Sequence, residues 1–522
     1  MAVTGLSAAA LKAALGGANE IALLDVREAG EFAAGHPLFA SSVPLSRFEA
    51  ILPSLVPRPA CPLVLIDDGT SGRATWARRL ATRLGYSDVR VLTGGTAAWV
   101  AAGFSLYEGV YVPSKAFGEL VEEKFLVPHI NATALAALQA TGAELILIDG
   151  RPLDEHQKMS VPGSICVPNG ELAYRAEHFV PPPGVPIVVH CAGRTRSILG
   201  AQILRDLALP NPVFALENGT QGWTLAGLSL EHGSTRRIDV QPSPAQCTAM
   251  EGRARELAEL WGVPRIEPKT LEVWGEDPTR TLYVFDVRTA AEFAQDHLPG
   301  ARHAPGGQLL QSTDTWVAVR RARIVLLDDN GLRAVIIGRW LGLMGHDAYV
   351  LSGGSASWDA IAMAPARVQV PVLPLPGACD VTAPGVLVVD CRSSAAYRAG
   401  HLAGAIWTIR SSLSAVVQNL DRDRAILICG DDPVVTSLLA HDLTEMGFND
   451  LAILAGGAED WRARGLQITA TPQVPNDSAA IDFVFFTHDR HNGNLGAARQ
   501  YIAWETGLVA RLDEQERAAF GL

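Results

Sequence analysis

Cysteine pairing is missing from this chain. Its seven cysteines, Cys61, Cys166, Cys191, Cys247, Cys379, Cys391 and Cys429, are odd in number and scattered, with no C-x-x-C spacing. That leaves no basis for a disulfide framework or a zinc site and points to a reducing compartment. Long apolar runs are missing too, and none approaches the length of a bilayer span. The Ala-rich start, Met1 to Leu15, has no basic segment ahead of a long apolar core, so it reads as an ordinary helix rather than a secretory signal. A soluble, cytoplasmic protein is expected. There is no basic excess either: the formal net charge is −12, which argues against nucleic acid or an anionic membrane as the main partner. With 48% hydrophobic and 19% charged residues, well-packed cores rather than disorder are expected. A length of 522 residues calls for several domains.

What is present is a long-period repeat. Leu23-Leu24-Asp25-Val26-Arg27 recurs as Leu147-Ile148-Asp149-Gly150-Arg151, Val284-Phe285-Asp286-Val287-Arg288 and Val388-Val389-Asp390-Cys391-Arg392. Each is a short apolar run ending in Asp-x-Arg. A second marker follows each at nearly constant separation: Gly94-Gly95 with Trp99, Asn218-Gly219 with Trp223, Gly353-Gly354 with Trp358, and Gly456-Gly457 with Trp461. Between the markers lie another apolar run and a helical pattern. Alternating short strands and helices imply an α/β unit with a mostly parallel sheet covered on both faces, whose ligands bind outside the carboxyl ends of the strands. The tryptophans read as core anchors, and the Asp-x-Arg pairs as fold determinants that tie loops together.

Pro-rich connectors set the expected boundaries. Four repeats span 1–113, 114–244, 245–370 and 371–475. A tail at 476–522, apolar at Phe483-Val484-Phe485-Phe486 and amphipathic from Leu495 to Leu512, is expected to be helical and to pack on a neighbouring unit or a second subunit.

The chemistry concentrates in His190-Cys191-Ala192-Gly193-Arg194-Thr195-Arg196-Ser197. The run Pro186 to Val189 reads as a buried strand and Ile198 to Leu204 as a helix, so a thiol sits where a strand ends and a helix begins. Loop amides, the helix N-terminus and two arginines there could stabilise a thiolate and hold an anion. Ser197 is expected to cap the helix. His190 is not enlisted as a base, because adjacent strand side chains point to opposite faces.

These residues resemble the rhodanese, or sulfurtransferase, family. Asp286-Val287-Arg288 with Glu292-Phe293 and His297-Leu298-Pro299-Gly300-Ala301 is similar to its first signature, and Gly456-Gly457-x-x-x-Trp461 to its last. The resemblance implies four tandem rhodanese-like domains. It also implies a cysteine that cycles between thiolate and persulfide, passing sulfane sulfur from a small donor (thiosulfate, mercaptopyruvate or a persulfide) to a thiol, cyanide or a protein acceptor. No cofactor or metal is called for. On this reading Cys191 is the nucleophile, and Ala192, Gly193, Arg194, Thr195, Arg196 and Ser197 form the substrate and anion site, with Arg194 and Arg196 neutralising the departing anion.

The sister loops differ. The third repeat places Asp328 at the nucleophile position, and the first places Asp67 or Asp68 there; both are expected to be inactive, since a carboxylate forms no persulfide. In the fourth, Cys429 is the candidate second cysteine, but it has Val434 in place of the loop arginine and carries Asp431 and Asp432 beside it. The second repeat also has Met159-Ser160 where the others keep a Gly-His or its histidine (His36, His297, His401). His488-Asp489-Arg490-His491 could suggest a metal site but lacks a third ligand at suitable spacing. Two other readings stay open: a non-catalytic scaffold of rhodanese repeats, and a cysteine-based phosphatase. The phosphatase reading is weakened because only four residues separate Cys191 from Arg196. A homodimer is also left open.

Overall fold

The computed structural model describes residues 5–362, 385–488 and 494–522. Cys379, the Val370 to Pro376 connector with the boundary drawn in it, and Asp489 to His491 lie outside the described residues.

Each repeat is a parallel sheet of short strands with helices packed on it. In the second repeat the strand order is His129–Ile130, Val213–Leu216, Ile187–His190, Ile146–Asp149, Ile165–Cys166. The third repeats it as Arg265–Ile266, Asp347–Leu351, Arg323–Leu327, Leu282–Asp286, Arg302–His303. The first pairs Gly5–Leu6, Val89–Leu92, Leu63–Ile66, Ile21–Asp25 and Ser41–Ser42 in the same sense. The fourth pairs Leu451–Ala455, Ile426–Gly430, Leu387–Asp390 and Ile406–Trp407. Strands such as Leu63–Ile66 and Ile187–His190 are buried at every position, as expected of parallel strands covered on both faces.

The chain divides into two compact units. Among the described residues, one holds most of the first repeat and the fourth (up to Leu11, Ala22–Val110 and the described part of Arg367–Phe485); the other holds Lys12–Ile21 and the described parts of Tyr111–Ala366 and Phe486–Leu522, and therefore the second and third repeats with the end of the tail.

The Asp-x-Arg elements are loop clamps. Asp25, Asp149, Asp286 and Asp390 are fully buried, and each takes the guanidinium two residues on. That arginine also donates to a carbonyl eight residues beyond it, at Gly35, Met159, Asp296 and Gly400 respectively. One side chain thereby fixes the strand end and the turn after the next helix. In three repeats the signature histidine stacks on an aromatic ring and bonds its carbonyl: His36 on Phe32, His297 on Phe293, His401 on Tyr397. The second repeat has His156 at the aromatic position instead, bonded through Nδ1 to Asp149 at 2.9 Å and through Nε2 to Ser234 at 3.0 Å.

The tail up to Phe485 falls in the first unit, and its described residues from Phe486 on fall in the second and are largely helical. Helix Leu495–Thr506 is followed by Leu508–Arg511 and Glu514–Ala518. Leu508, Val509 and Phe520 are buried. Phe520 lies 6.0 Å from Phe117 on helix Val112–Phe125, and Glu516 accepts a hydrogen bond from Lys12 at 2.9 Å.

Candidate active site

Cys191 follows strand Ile187–His190 directly, and helix Thr195–Asp206 begins four residues later. The turn carrying Asn218-Gly219 holds the loop from the other side. Thr220 N donates to the Cys191 carbonyl at 2.8 Å, and Gln221 donates to the Ala192 carbonyl through both N (3.2 Å) and Nε2 (3.1 Å). With these carbonyls tied outward, the first-turn amides of the helix, which have no intrahelical acceptor, are left for whatever sits inside the loop. Gly219 makes the approach feasible: its φ is +51° and a Cβ there would lie 2.2 Å from the Cys191 carbonyl oxygen.

Strand register identifies the corresponding position in each sister. Asp149 pairs with His190, Asp25 with Ile66, Asp286 with Leu327, and Asp390 with Cys429. The residue after each partner is the counterpart of Cys191. It is Asp67 in the first repeat, which resolves the choice between Asp67 and Asp68, and Asp328 in the third. In the fourth it is Gly430. This corrects the expectation for Cys429, which aligned with the nucleophile by residue type but stands in the strand position of His190. Cys429 is fully buried, and burial, with Asp390 and Cys391 nearby, pushes its thiol far up. Cys166 and Cys391 are likewise pushed up to about 12 by burial.

The two Asp replacements show what such a loop binds. Asp67 accepts from Gly69 N at 2.9 Å and Ala74 N at 3.0 Å. Asp328 accepts from Gly331 N and from Arg333 N at 2.8 Å. In the fourth repeat Asp432 takes Val434 N and Val435 N at 3.0 and 3.2 Å. In each case a resident carboxylate satisfies amides of the loop or of the first helical turn, which together form the kind of concave N–H array that holds an anion.

The loop arginines are placed differently from the expectation. Arg194 turns to helix Val112–Phe125, donating to Glu119 at 2.7 and 2.8 Å and also to Glu122. Arg196 forms a two-pronged pair with Glu155 at 2.6 and 2.8 Å. Neither guanidinium is held ready for a leaving group; Arg194 is removed from that role by the carboxylates it meets, a tertiary feature its own loop does not encode. Burial works against the charge of Arg196, and Glu155 together with the Cys191 sulfur more than offsets this. The same pair recurs as Arg73 with Glu31 and Arg333 with Glu292. In the fourth repeat both members are gone: on the corrected register Val435 stands for the arginine, and Ala396 for the glutamate. Glu155 was not singled out from sequence, although its spacing after Asp149-x-Arg151 matches that of Glu31 and Glu292.

Ser197 does not cap the helix: Arg194 is the cap residue, and Ser197 Oγ, three residues into it, donates to the Arg194 carbonyl at 2.7 Å. Its oxygen is 3.7 Å from Cys191 Sγ. His190 is fully buried, and burial lowers it to about 4 despite Asp149 at 3.8 Å, so it stays neutral. His156 and His190 converge on Asp149 behind the loop.

The loop is also closed over. Cys191 is 2% exposed and Thr195 fully buried. Thr195 Oγ1 donates to Glu505 of the tail helix at 2.8 Å, and Lys115 of helix Val112–Phe125 lies 3.1 Å from the same carboxylate oxygen. A Cβ on Gly193 would meet Glu505 Oε2 at 3.1 Å, Gln221 Nε2 at 3.3 Å and Tyr501 at 3.7 Å. Sequence reading missed Glu505, Tyr501 and Lys115, all of which lie far along the chain from the loop.

The Rhodanese-like domain profile matches residues 7–102, 131–226, 268–361 and 380–464. The chain belongs to the rhodanese-like family. It is similar to the crystal structure of a thiosulfate sulfurtransferase from Pseudomonas aeruginosa, with 38% identity, a TM-score of 0.90, and coverage of 100% of this chain and 99% of that one. Shorter relatives are the thiosulfate sulfurtransferases GlpE of Pseudomonas entomophila (33% identical, spanning 16% of this chain and 79% of the relative) and of Pseudomonas putida (35%, 15% and 72%). Family membership carries the sulfurtransferase class; among the described residues, no helix is long and apolar enough to cross a membrane.

Proposed function

We propose that the protein transfers sulfane sulfur through a persulfide on Cys191, with thiosulfate as a donor. The observation that carries this reading is the register comparison: where two sister loops hold a carboxylate in the amide array and the fourth has glycine, the second holds a sulfur. In the first half-reaction the Cys191 thiolate attacks the outer sulfur of thiosulfate. A new S–S bond forms, the donor's S–S bond breaks, and sulfite leaves with the electron pair. In the second half-reaction an acceptor thiolate or cyanide takes the terminal sulfur and returns the Cys191 thiolate. The amides at the start of helix Thr195–Asp206 stabilise both anionic forms of the sulfur. Arg196, fixed by Glu155, supplies positive charge from behind the loop and positions it, while Arg194 ties the loop to helix Val112–Phe125.

Repeats one, three and four serve as structural partners on this reading, since their loops are already filled or lack the sulfur. The test is a donor panel on the wild type, Cys191→Ser and Cys429→Ser, with mass spectrometry for the roughly 32 Da of one added sulfur. Loss of turnover and of the adduct in Cys191→Ser, with both retained in Cys429→Ser, is expected. Turnover that survives in Cys191→Ser would refute the assignment.

A further inference from the structure

Helix Leu495–Thr506 touches the rest of the protein along a narrow stripe. Its buried residues are Ala498, Tyr501 and Glu505, spaced three and four apart and therefore on one face. Two of the three lie against the Cys191 loop. Tyr501 and Glu505 approach Gly193, and Glu505 also accepts from Thr195 and pairs with Lys115. Glu505 itself is fully buried. The segment after Gly507 is anchored quite differently, by Leu508, Val509, Phe520 and the Glu516 to Lys12 hydrogen bond. With Ala497, Ile502 and Trp504 only partly buried beside those three, this helix has a thinner apolar anchor than the segment it joins, which places it toward the low-stability end of the fold.

The sister loops give Glu505 a meaning. In the first and third repeats the residue at the position of Cys191 supplies the carboxylate to the loop. In the second, the carboxylate beside the loop comes from a helix about three hundred residues away in sequence, which lies against the loop at Gly193 and Thr195. A donor such as thiosulfate carries its charge on a sulfonate-like end, and that end needs a cation and a hydroxyl near the loop. Lys115 and Thr195 Oγ1 are that pair, and Glu505 sits on both.

We propose that Lys115 and Thr195 form the subsite for the charged end of a small anionic sulfur donor, that Glu505 fills this subsite in the closed state, and that helix Leu495–Thr506 is the lid such a donor displaces. This rests on the Cys191 reading above. Lys115 then determines which donors are accepted, and Glu505 sets how readily the lid opens. Tyr501 closes the remaining face over Gly193.

Three measurements test it together. Iodoacetamide labelling of Cys191, read by peptide mass, is expected to run about tenfold faster in Glu505→Gln and Glu505→Ala than in the wild type. The KM for thiosulfate is expected to rise about tenfold in Lys115→Met, with kcat little changed, to fall in Glu505→Gln, and to recover in Lys115→Arg. In the unaltered protein, hydrogen exchange in 495–506 is expected to be at least about tenfold faster than in 508–518, and faster again with thiosulfate present. Equal labelling rates in wild type and Glu505→Gln, an unchanged KM in Lys115→Met, or equally slow exchange in both tail segments would each overturn the proposal. Absence of a Cys191 persulfide in every variant would overturn the function reading instead, and the labelling and exchange rates would still decide whether the lid exists.

Discussion

Glu155 and Arg196 should differ in what their loss costs, and the difference follows from exposure. The Arg196 side chain is 10% exposed and that of Glu155 is 34%. Truncation to Glu155→Ala leaves a guanidinium stranded beneath the loop, with Arg151 adding repulsion from the same side. Removing one partner of a buried pair costs about 3–5 kcal/mol, and Arg196 is buried enough for the full range to apply. Truncation to Arg196→Ala leaves a carboxylate that already reaches water, so that cost falls to about 1–2 kcal/mol, closer to that of a half-exposed pair. The double variant removes the stranded charge and should be more stable than Glu155→Ala alone. Urea unfolding of the four proteins, followed by a probe in the second unit, closes the cycle; activity should fall in all three variants because the loop loses its positioning. If Arg196→Ala were as damaging to stability as Glu155→Ala, the argument from their difference in exposure would fail; a coupling below about 0.5 kcal/mol would make the pair no more than a surface contact and would undo the argument from its recurrence in three repeats.

Gly219→Ala should abolish sulfur transfer while leaving the rest of the second repeat folded: at a φ of +51°, a Cβ 2.2 Å from the Cys191 carbonyl forces the loop to move, and an activity assay beside a circular dichroism spectrum separates the two effects. Asp67→Ala removes the acceptor of Gly69 N and Ala74 N and should destabilise the first unit by about 1–3 kcal/mol without changing turnover, as read by denaturant unfolding and a sulfur-transfer assay. Burial holds His36 and His346 at about 3 and His190 at about 4, below the ordinary 6.5. The unfolded chain takes up these protons below pH 6.5 while the folded one does not, so stability is full above that pH and is lost as pH falls toward 4. His190→Asn should reduce the proton uptake on unfolding in this window by about one, measured from the slope of unfolding free energy against pH; an unchanged slope would mean His190 is charged in the fold.

The repeat, the parallel sheets and the strand-to-helix placement of Cys191 were legible in sequence because each rests on local periodicity and on markers that recur at nearly fixed spacing. The clamp role of Asp-x-Arg was legible for the same reason. What sequence reading missed depends on register or on distant chain. Cys429 was matched to Cys191 by residue type, but the pairing of Asp390 with Cys429 shifts the fourth loop by one residue, and a one-residue shift in a strand exchanges faces. Arg194 looked like an anion ligand because Glu119 and Glu122, more than seventy residues earlier in the chain, were not in view. Ser197 looked like a cap because the helix start lies two residues before it. Glu505 had no local signal at all, since only the docking of the tail brings it to the loop.

The same view explains how the filled loops contribute to structure. In the third repeat Arg333 is fully buried, donates to Glu292 of its own signature, and crosses to Glu171 of the second repeat at 2.9 Å. It lies over Tyr174, again of the second repeat, with 3.8 Å to the ring centroid, and Tyr174 in turn donates to Asp329 at 3.0 Å. In a loop already filled by Asp328, the arginine bonds to a neighbouring repeat. Buried ion pairs add little net stability, yet they are intolerant of misplacement, because each charge needs its partner at hydrogen-bond distance. The first and fourth repeats are joined by an arginine from a different place, Arg410 of the short turn Arg410–Ser412, which bonds to Glu49 of the first repeat and Asp442 of its own. In both units, therefore, a fully buried arginine in a repeat whose loop lacks the sulfur fixes the relation between two domains. In the second unit that relation bears directly on the Cys191 loop: Glu171 belongs to the short helical turn Asn169–Glu171, whose Asn169 donates to the Arg196 carbonyl at 2.8 Å. The path from Arg333 through Glu171 and Asn169 to the Cys191 loop is continuous, and it gives a repeat whose loop holds a carboxylate a physical hold on the one whose loop holds Cys191.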